Sequence, residues 1–138
     1  MLSTPPPDDK ARTRLLYISP LRALAVDVEK NLRAPLVGIA HAASRAGESV
    51  YTPTIGSRTG DTPAADRRKL IRNPPDLLIT TPESLYLMVT SERSRAILKH
   101  VRTVIVDEIH AVAGNKRGSH LALTLERLAH VAHAGLQR

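Results

Sequence analysis

Four short runs of aliphatic and β-branched residues, Leu15 to Ile18, Val50 to Ile55, Leu77 to Thr80 and Thr103 to Val106, punctuate the chain. Runs this short and this apolar suit strands buried on both faces. Between them the apolar residues change period. Leu21, Leu24, Ala25, Val28 and Leu32 recur at spacings of three and four, as do Leu121, Leu125, Leu128 and Ala132, and each set gives a helix one apolar face. Strands alternating with helices predict an α/β fold, a parallel sheet with right-handed crossovers.

Proline and threonine set the expected helix boundaries. Pro35 is predicted to stop or kink the first helix, leaving a second piece from Leu36 to near Gly47. Thr62 before Pro63 reads as an N-cap followed by a first-turn proline, and Thr81 before Pro82 repeats the pattern. The last helix is predicted over roughly Ser119 to His133, ahead of Gly135. The opening Ser3-Thr4-Pro5-Pro6-Pro7-Asp8-Asp9 can join neither a helix nor a central strand, so residues 1–13 are expected to be a linker or disordered tail and 14–138 one domain.

With 138 residues, one domain with a real core is the expectation. The formal net charge of +7 favours a polyanionic partner. The absence of Cys excludes a disulfide framework, a Cys-based zinc site and a thiol nucleophile. Tyr17, Tyr51 and Tyr86 are the whole aromatic set, too few for a base-stacking platform, so contact with nucleic acid must run through backbone phosphates. No apolar run reaches membrane-spanning length and no secretory leader opens the chain, which predicts a cytoplasmic protein with no membrane partner.

In open parallel sheets ligands bind beyond the carboxyl ends of the strands. That rule selects four loops: Ser19-Pro20-Leu21-Arg22, Gly56-Ser57-Arg58-Thr59-Gly60-Asp61, Thr81-Pro82-Glu83-Ser84 and Asp107-Glu108-Ile109-His110. Three of them also start helices, whose free N–H groups and positive dipole ends suit phosphate oxygens. Taken singly, Thr62 and Thr81 are equally ordinary caps that stabilise a helix by about 1 kcal/mol without any ligand. The fourth loop places two carboxylates after an apolar strand. They read either as a holder of hydrated Mg²⁺, with Asp107 on the metal and Glu108 on a water, or as a solvated acidic pair.

SPLRALA, RTGDT, TTPESL and VDEIH, in this order and spacing, resemble motif Ia, the segment near Ib, Ib itself and motif II of superfamily 2 helicases of the DEAD/H type. GNKRGSHLALTLERL after the acidic motif is similar to the large helicase-related branch, ATP-dependent 3′-to-5′ DNA helicases linked to repair. The resemblance runs from about Leu15 to Leu128 and implies a RecA-like domain of the P-loop NTPase type, with ATP and Mg²⁺ as cofactors. Partners would be single-stranded or duplex DNA, with RNA as a further candidate, and a second RecA-like motor domain. Carried over, it makes Asp107 and Glu108 the Walker B pair, with Asp107 the Mg²⁺ ligand, and makes His110 the link between nucleotide state and the partner domain. Ser19, Pro20, Arg22, Gly60, Thr81 and Pro82 would contact the sugar-phosphate backbone. Gly114, Lys116, Arg117 and Gly118 belong to the branch signature and receive no mechanical role.

The family's phosphate loop, G-x-x-x-x-G-K-[ST], departs from this pattern: none of the seven glycines here is followed by Lys. The expectation is therefore a partial first RecA-like domain covering motifs Ia to II, without its first strand and phosphate loop, and inactive towards ATP by itself. The competing readings are a non-catalytic module for single-stranded nucleic acid and an unrelated α/β domain with an incidental acidic pair. Histidines 100, 110, 120, 130 and 133 lack an HExxH or a third ligand at a usual spacing, which disfavours zinc. Ser19, Ser84 and Ser119 lack a G-x-S-x-G elbow, which disfavours a hydrolase triad. Arg67, Arg68, Lys69 and Arg72 are expected to form a solvated helix face.

Overall fold

A computed structural model describes residues 5–6, 11–132 and 135–137. Most of the tail expected over 1–13 lies outside them, as do His133 and Arg138. Arg12 and Thr13, at the end of that stretch, are built into the fold: Arg12 Nη2 donates to the Tyr51 hydroxyl at 3.1 Å, and Thr13 Oγ1 donates to the Pro75 carbonyl at 2.8 Å.

The described residues form β1 (Leu15–Ile18), α1 (Arg22–Arg45), β2 (Ile55–Arg58), α2 (Ala64–Arg72), β3 (Leu77–Thr80), α3 (Pro82–Thr90), α4 (Glu92–Leu98), β4 (Thr103–Val106), a single 3₁₀ turn (Ile109–Ala111) and α5 (Lys116–Val131). The strands make one sheet in the order β2-β3-β1-β4, and each neighbouring pair is parallel. Ile18 stands opposite both Thr80 and Val106, and Thr80 opposite Arg58, so all four strands end at one level. That alignment matters most for the site.

The period-two alternation of the strands splits the core into two layers. Leu16, Ile18, Leu78 and Val104 face one side, where they pack with Leu85 and Met88 of α3, Leu98 of α4 and Leu121 and Leu128 of α5. Leu15, Tyr17, Leu77, Ile79 and Ile55 face the other, under Ala25, Val28, Leu32 and Leu36 of α1. Burying each large aliphatic side chain contributes about 1.5–3 kcal/mol, so this sandwich supplies most of the driving force.

Four boundaries differ from the sequence expectation, one of them the start of α5, which begins at Lys116 under an Asn115 cap and not near Ser119. Helix α1 runs unbroken through Pro35 for 24 residues. Pro35 and Asn31, whose carbonyl loses its helical donor, are both exposed, so water can satisfy that carbonyl. The second strand is Ile55–Arg58, displaced from the apolar run Val50 to Ile55. Pro53 cannot donate to a ladder, and the pairing of Ile55 with Leu77 carries the strand onward into Gly56-Ser57-Arg58. Thr62 does not cap α2, whose N-cap is Pro63; its hydroxyl instead accepts the Thr59 N–H at 2.9 Å and closes the loop after β2. Thr81 does cap α3, accepting the Ser84 N–H at 3.4 Å.

At the opposite end of the sheet lies a buried carboxylate. Asp76 has no solvent exposure and accepts from the Thr54 N–H and hydroxyl and from the Tyr51 hydroxyl at 2.7–2.9 Å, with Arg12 and Arg14 nitrogens at 3.5 Å. This hub ties the segment before β1 to the lead-ins of β2 and β3.

Candidate functional site

Three of the loops selected from the sequence meet on one rim with Thr59-Gly60-Asp61 of the remaining one, whose Gly56-Ser57-Arg58 is strand β2. The backbone N–H of Asp107, just past β4, donates to the Ile18 carbonyl at 3.0 Å. The N–H of Ser19, just past β1, donates to the Thr80 carbonyl at 2.9 Å. Thr80 Oγ1 in turn donates to the Arg58 carbonyl at 2.7 Å. One hydrogen-bonded line thus crosses the sheet from the acidic pair through Ser19 and Thr80 to Arg58, where the loop holding Gly60 begins.

Asp107 is held on both carboxylate oxygens: the Tyr17 hydroxyl donates to Oδ2, and the Glu108 N–H donates to Oδ1 at 2.8 Å. Glu108 adopts a left-handed backbone, φ 49°, which costs a non-glycine residue about 1–3 kcal/mol and is a mark of functional sites. That twist turns its side chain to His110, whose Nε2 lies 3.0 Å from Glu108 Oε2. Each Asp107 oxygen has a lone pair left after its one hydrogen bond, and Glu108 adds a half-exposed carboxylate. This donor set fits a hydrated Mg²⁺, which takes one or two protein carboxylates and keeps several waters. The rest of a nucleotide site does not fit these residues, because no Gly-Lys pair supplies a phosphate cradle. Among the described residues no three His, Cys, Asp or Glu side chains gather around a metal position.

Along the rim, the Ser19 hydroxyl donates to the Leu21 carbonyl at 3.1 Å and shapes the turn into α1. Ser19, Pro20, Thr81 and Pro82 are buried as whole residues, and the exposed positions on these turns are Leu21, Arg22 and Glu83. Arg22, in the first turn of α1, holds both oxygens of Asp61 at 2.9 Å, and a Cβ on Gly60 would come within 3.1 Å of the Arg22 guanidinium. Two sequence-selected positions, Arg22 and Gly60, are therefore neighbours. Arg67 is not part of a free solvated face: it donates to the Thr62 carbonyl at 2.7 Å and the Gly60 carbonyl at 2.8 Å, bracing the same loop. The first turn of α2 lays residue 67 back over the chain that precedes it.

Tyr17 and Arg117, to which the sequence gives no role, both touch the rim. Alternation puts Tyr17 on the same sheet face as Leu15, but its place beside the acidic pair follows only from the pairing of β1 with β4. Arg117 Nε donates to Glu83 Oε1 at 2.8 Å and its Nη2 to the Pro20 carbonyl at 2.9 Å. Burial alone would push the Glu83 carboxyl up, but the Arg117 hydrogen bond and charge, with Arg22 nearby, hold it below the ordinary range. A separate cleft of about 520 Å³, lined by Arg33, Gly56, Pro63 and Lys69 among others, flanks the sheet edge at β2 and includes none of Ser19, Thr81, Asp107 or Glu108. Among the described residues no helix is long and apolar enough to cross a membrane.

Residues 2–136 match the family model for DEAD/DEAH box helicases. The chain is 61% identical over 126 residues to the Lhr helicase/uracil glycosylase of Escherichia coli, covering 91% of this chain and 8% of that protein. It is 46% identical over 118 residues to the ATP-dependent helicase Lhr-Core protein 2 of Thermococcus barophilus, covering 86% of this chain and 14% of the relative. The solved structure of the Mycobacterium smegmatis helicase Lhr bound to ssDNA and AMP-PNP superposes with a TM-score of 0.91 at 57% identity, over 99% of this chain and 17% of that one. The chain thus spans a small fraction of the length of these relatives.

Proposed function

The chain belongs to the DEAD/DEAH box helicase family, and from that premise we propose that residues 14–138 are part of the first RecA-like motor domain of an ATP-dependent DNA helicase of the large helicase-related branch. In this reading the rim carries motif Ia at Ser19, Pro20 and Arg22, a contact at Gly60, motif Ib at Thr81 and Pro82, and motif II at Asp107, Glu108 and His110. The observation that supports it is the line of hydrogen bonds joining Asp107 to Ile18, Ser19 to Thr80 and Thr80 to Arg58, which puts the acidic pair and the turns at Ser19 and Thr81 on one edge.

In this reading the labour divides along the rim. The starts of α1 and α3, at Arg22 and Pro82, turn positive dipole ends to the rim, which suit the phosphates of a single strand whatever its sequence. Asp107, oriented by Tyr17, would hold Mg²⁺, which when bound neutralises phosphate charge and fixes phosphate geometry. Glu108 would accept the proton of the attacking water, and His110, in contact with Glu108, would sense its state on behalf of a second motor domain. Partners in this reading are DNA and that second domain; residues from outside the present chain would supply the phosphate cradle.

Binding of fluorescein-labelled oligo(dT) by the 138-residue chain at rising salt tests the track. Neutralised phosphates make log K fall linearly with log salt. Binding that is absent at low salt, or insensitive to salt, would remove the proposal. Salt-dependent binding with no effect of Asp107 or Glu108 substitution on turnover in the complete motor would favour a non-catalytic binding module.

A further inference from the structure

We infer that Arg117 is a positioning residue that locks the two phosphate-facing turns of the rim to each other and to the segment leaving the acidic pair. The inference rests on the nucleic-acid reading of those turns and gives the Gly114 to Gly118 segment the task it lacked. That segment is a launching turn. Gly114 takes a left-handed backbone, φ +77°, which suits glycine. Asn115 then caps α5: its Oδ1 accepts the N–H groups of Arg117 and Gly118 at 2.9 and 3.1 Å, while its Nδ2 donates to the Ala111 carbonyl at 3.2 Å. Gly118 lets the first turn of α5 lie on the backbone of Val112, for a Cβ there would sit 2.2 Å from the Val112 carbonyl oxygen.

With its start fixed in this way, α5 points Arg117 across the rim. One planar guanidinium donates in two directions, to Glu83 in the first turn of α3 and to the Pro20 carbonyl in the turn before α1. Those are the two elements whose helix starts bear Thr81, Ser84, Ser19 and Arg22. The planar fork is what makes both contacts at once; a lysine ammonium is a point donor on a flexible stem. The Arg117 and Glu83 side chains are 44% and 56% exposed, and exposed ion pairs add little to stability. The benefit of the contact is therefore geometric: it sets the spacing of two anion-facing turns.

The test compares the wild-type chain with Arg117→Ala and Arg117→Lys by three readouts: thermal midpoint, affinity for labelled oligo(dT) across a salt series, and amide hydrogen exchange at residues 21–25 and 83–86. The expected result is a midpoint near that of the wild type, faster exchange at both helix starts, and about tenfold weaker binding in both variants, the loss of one charge-assisted contact pair. The slope of log K against log salt should stay at the wild-type value. A slope smaller by about one in Arg117→Ala would mean that Arg117 touches a phosphate directly, and would overturn the inference. Wild-type binding by Arg117→Lys, or unchanged exchange at both helix starts, would overturn it as well. If the wild type binds no oligo(dT), the nucleic-acid reading fails, and the exchange data still decide whether Arg117 holds the two turns.

Discussion

The Tyr17 hydroxyl donates a hydrogen bond to Asp107 across the adjacent strands β1 and β4, so the first carboxylate of the acidic pair is oriented from within the sheet. Burial first, then this hydrogen bond and the charges of Asp107 and Glu108, push the phenol up from 10.0 to about 12. The folded state therefore favours the neutral phenol. Its contribution to stability is fully present below pH 10 and is lost as the pH rises towards about 12. Tyr17→Phe should flatten that alkaline loss of stability. The near-ultraviolet absorbance difference between wild type and variant should titrate near pH 12, and a midpoint near 10 would show that Asp107 does not hold the phenol.

Asp76 should contribute to acid sensitivity. Burial alone would raise its pKa, yet hydrogen bonds from Thr54 and Tyr51 and the charge of Arg12 outweigh that and leave it below the ordinary 3.8. Its stabilisation is present above that value and is lost only as the pH falls through the depressed one. Asp76→Ala removes one side of a buried charged cluster, which typically costs about 3–5 kcal/mol. Urea unfolding at neutral pH measures this; a change under 1 kcal/mol would mean the hub contributes nothing net.

Glu108→Gln keeps the size and backbone of the residue while removing the proton acceptor. In the complete motor carrying this chain, turnover should fall by about 10²- to 10⁴-fold while nucleotide and DNA binding stay near normal. Unchanged turnover would reassign the base. The 138-residue chain alone, with none of its glycines followed by Lys, should not hydrolyse ATP even with DNA present.

Gly118→Ala should destabilise the domain by about 1–3 kcal/mol, the usual cost of forcing atoms into packed space. The added Cβ meets backbone, the Val112 carbonyl, which cannot swing aside as a side chain would. Chemical denaturation checks the cost, and a neutral effect would mean that α5 starts elsewhere.

The parts legible in the sequence are those fixed by strong local pattern. The strands Leu15–Ile18 and Leu77–Thr80 coincide with their apolar runs because each is paired on both edges, and Thr103–Val106 coincides with its run although it is an edge strand with Ile105 41% exposed. β2 departs from its apolar run because Pro53 interrupts that run and the pairing of Ile55 with Leu77 sets where the ladder begins. Helix α1 outran Pro35 because the lost hydrogen bond falls on an exposed face. The rim itself was readable from the rule for parallel sheets, and so were its four loops. What no periodicity reveals is contact between residues distant in sequence: Tyr17 with Asp107, Arg22 with Asp61, and Arg117 with Glu83 and Pro20 arise only once the register is set. The positive φ of Glu108 was equally hidden, since glutamate carries no preference for it.

The most direct measurement of the central claim is the footprint of a single strand on the protein, read as amide exchange protection when oligo(dT) is added. Protection should appear at residues 19–24, 59–61 and 81–85, all on the edge that also carries Asp107. Protection instead around Asp76 at the other end of the strands, or confined to Arg95, Arg127 and the outer helices, would contradict the account.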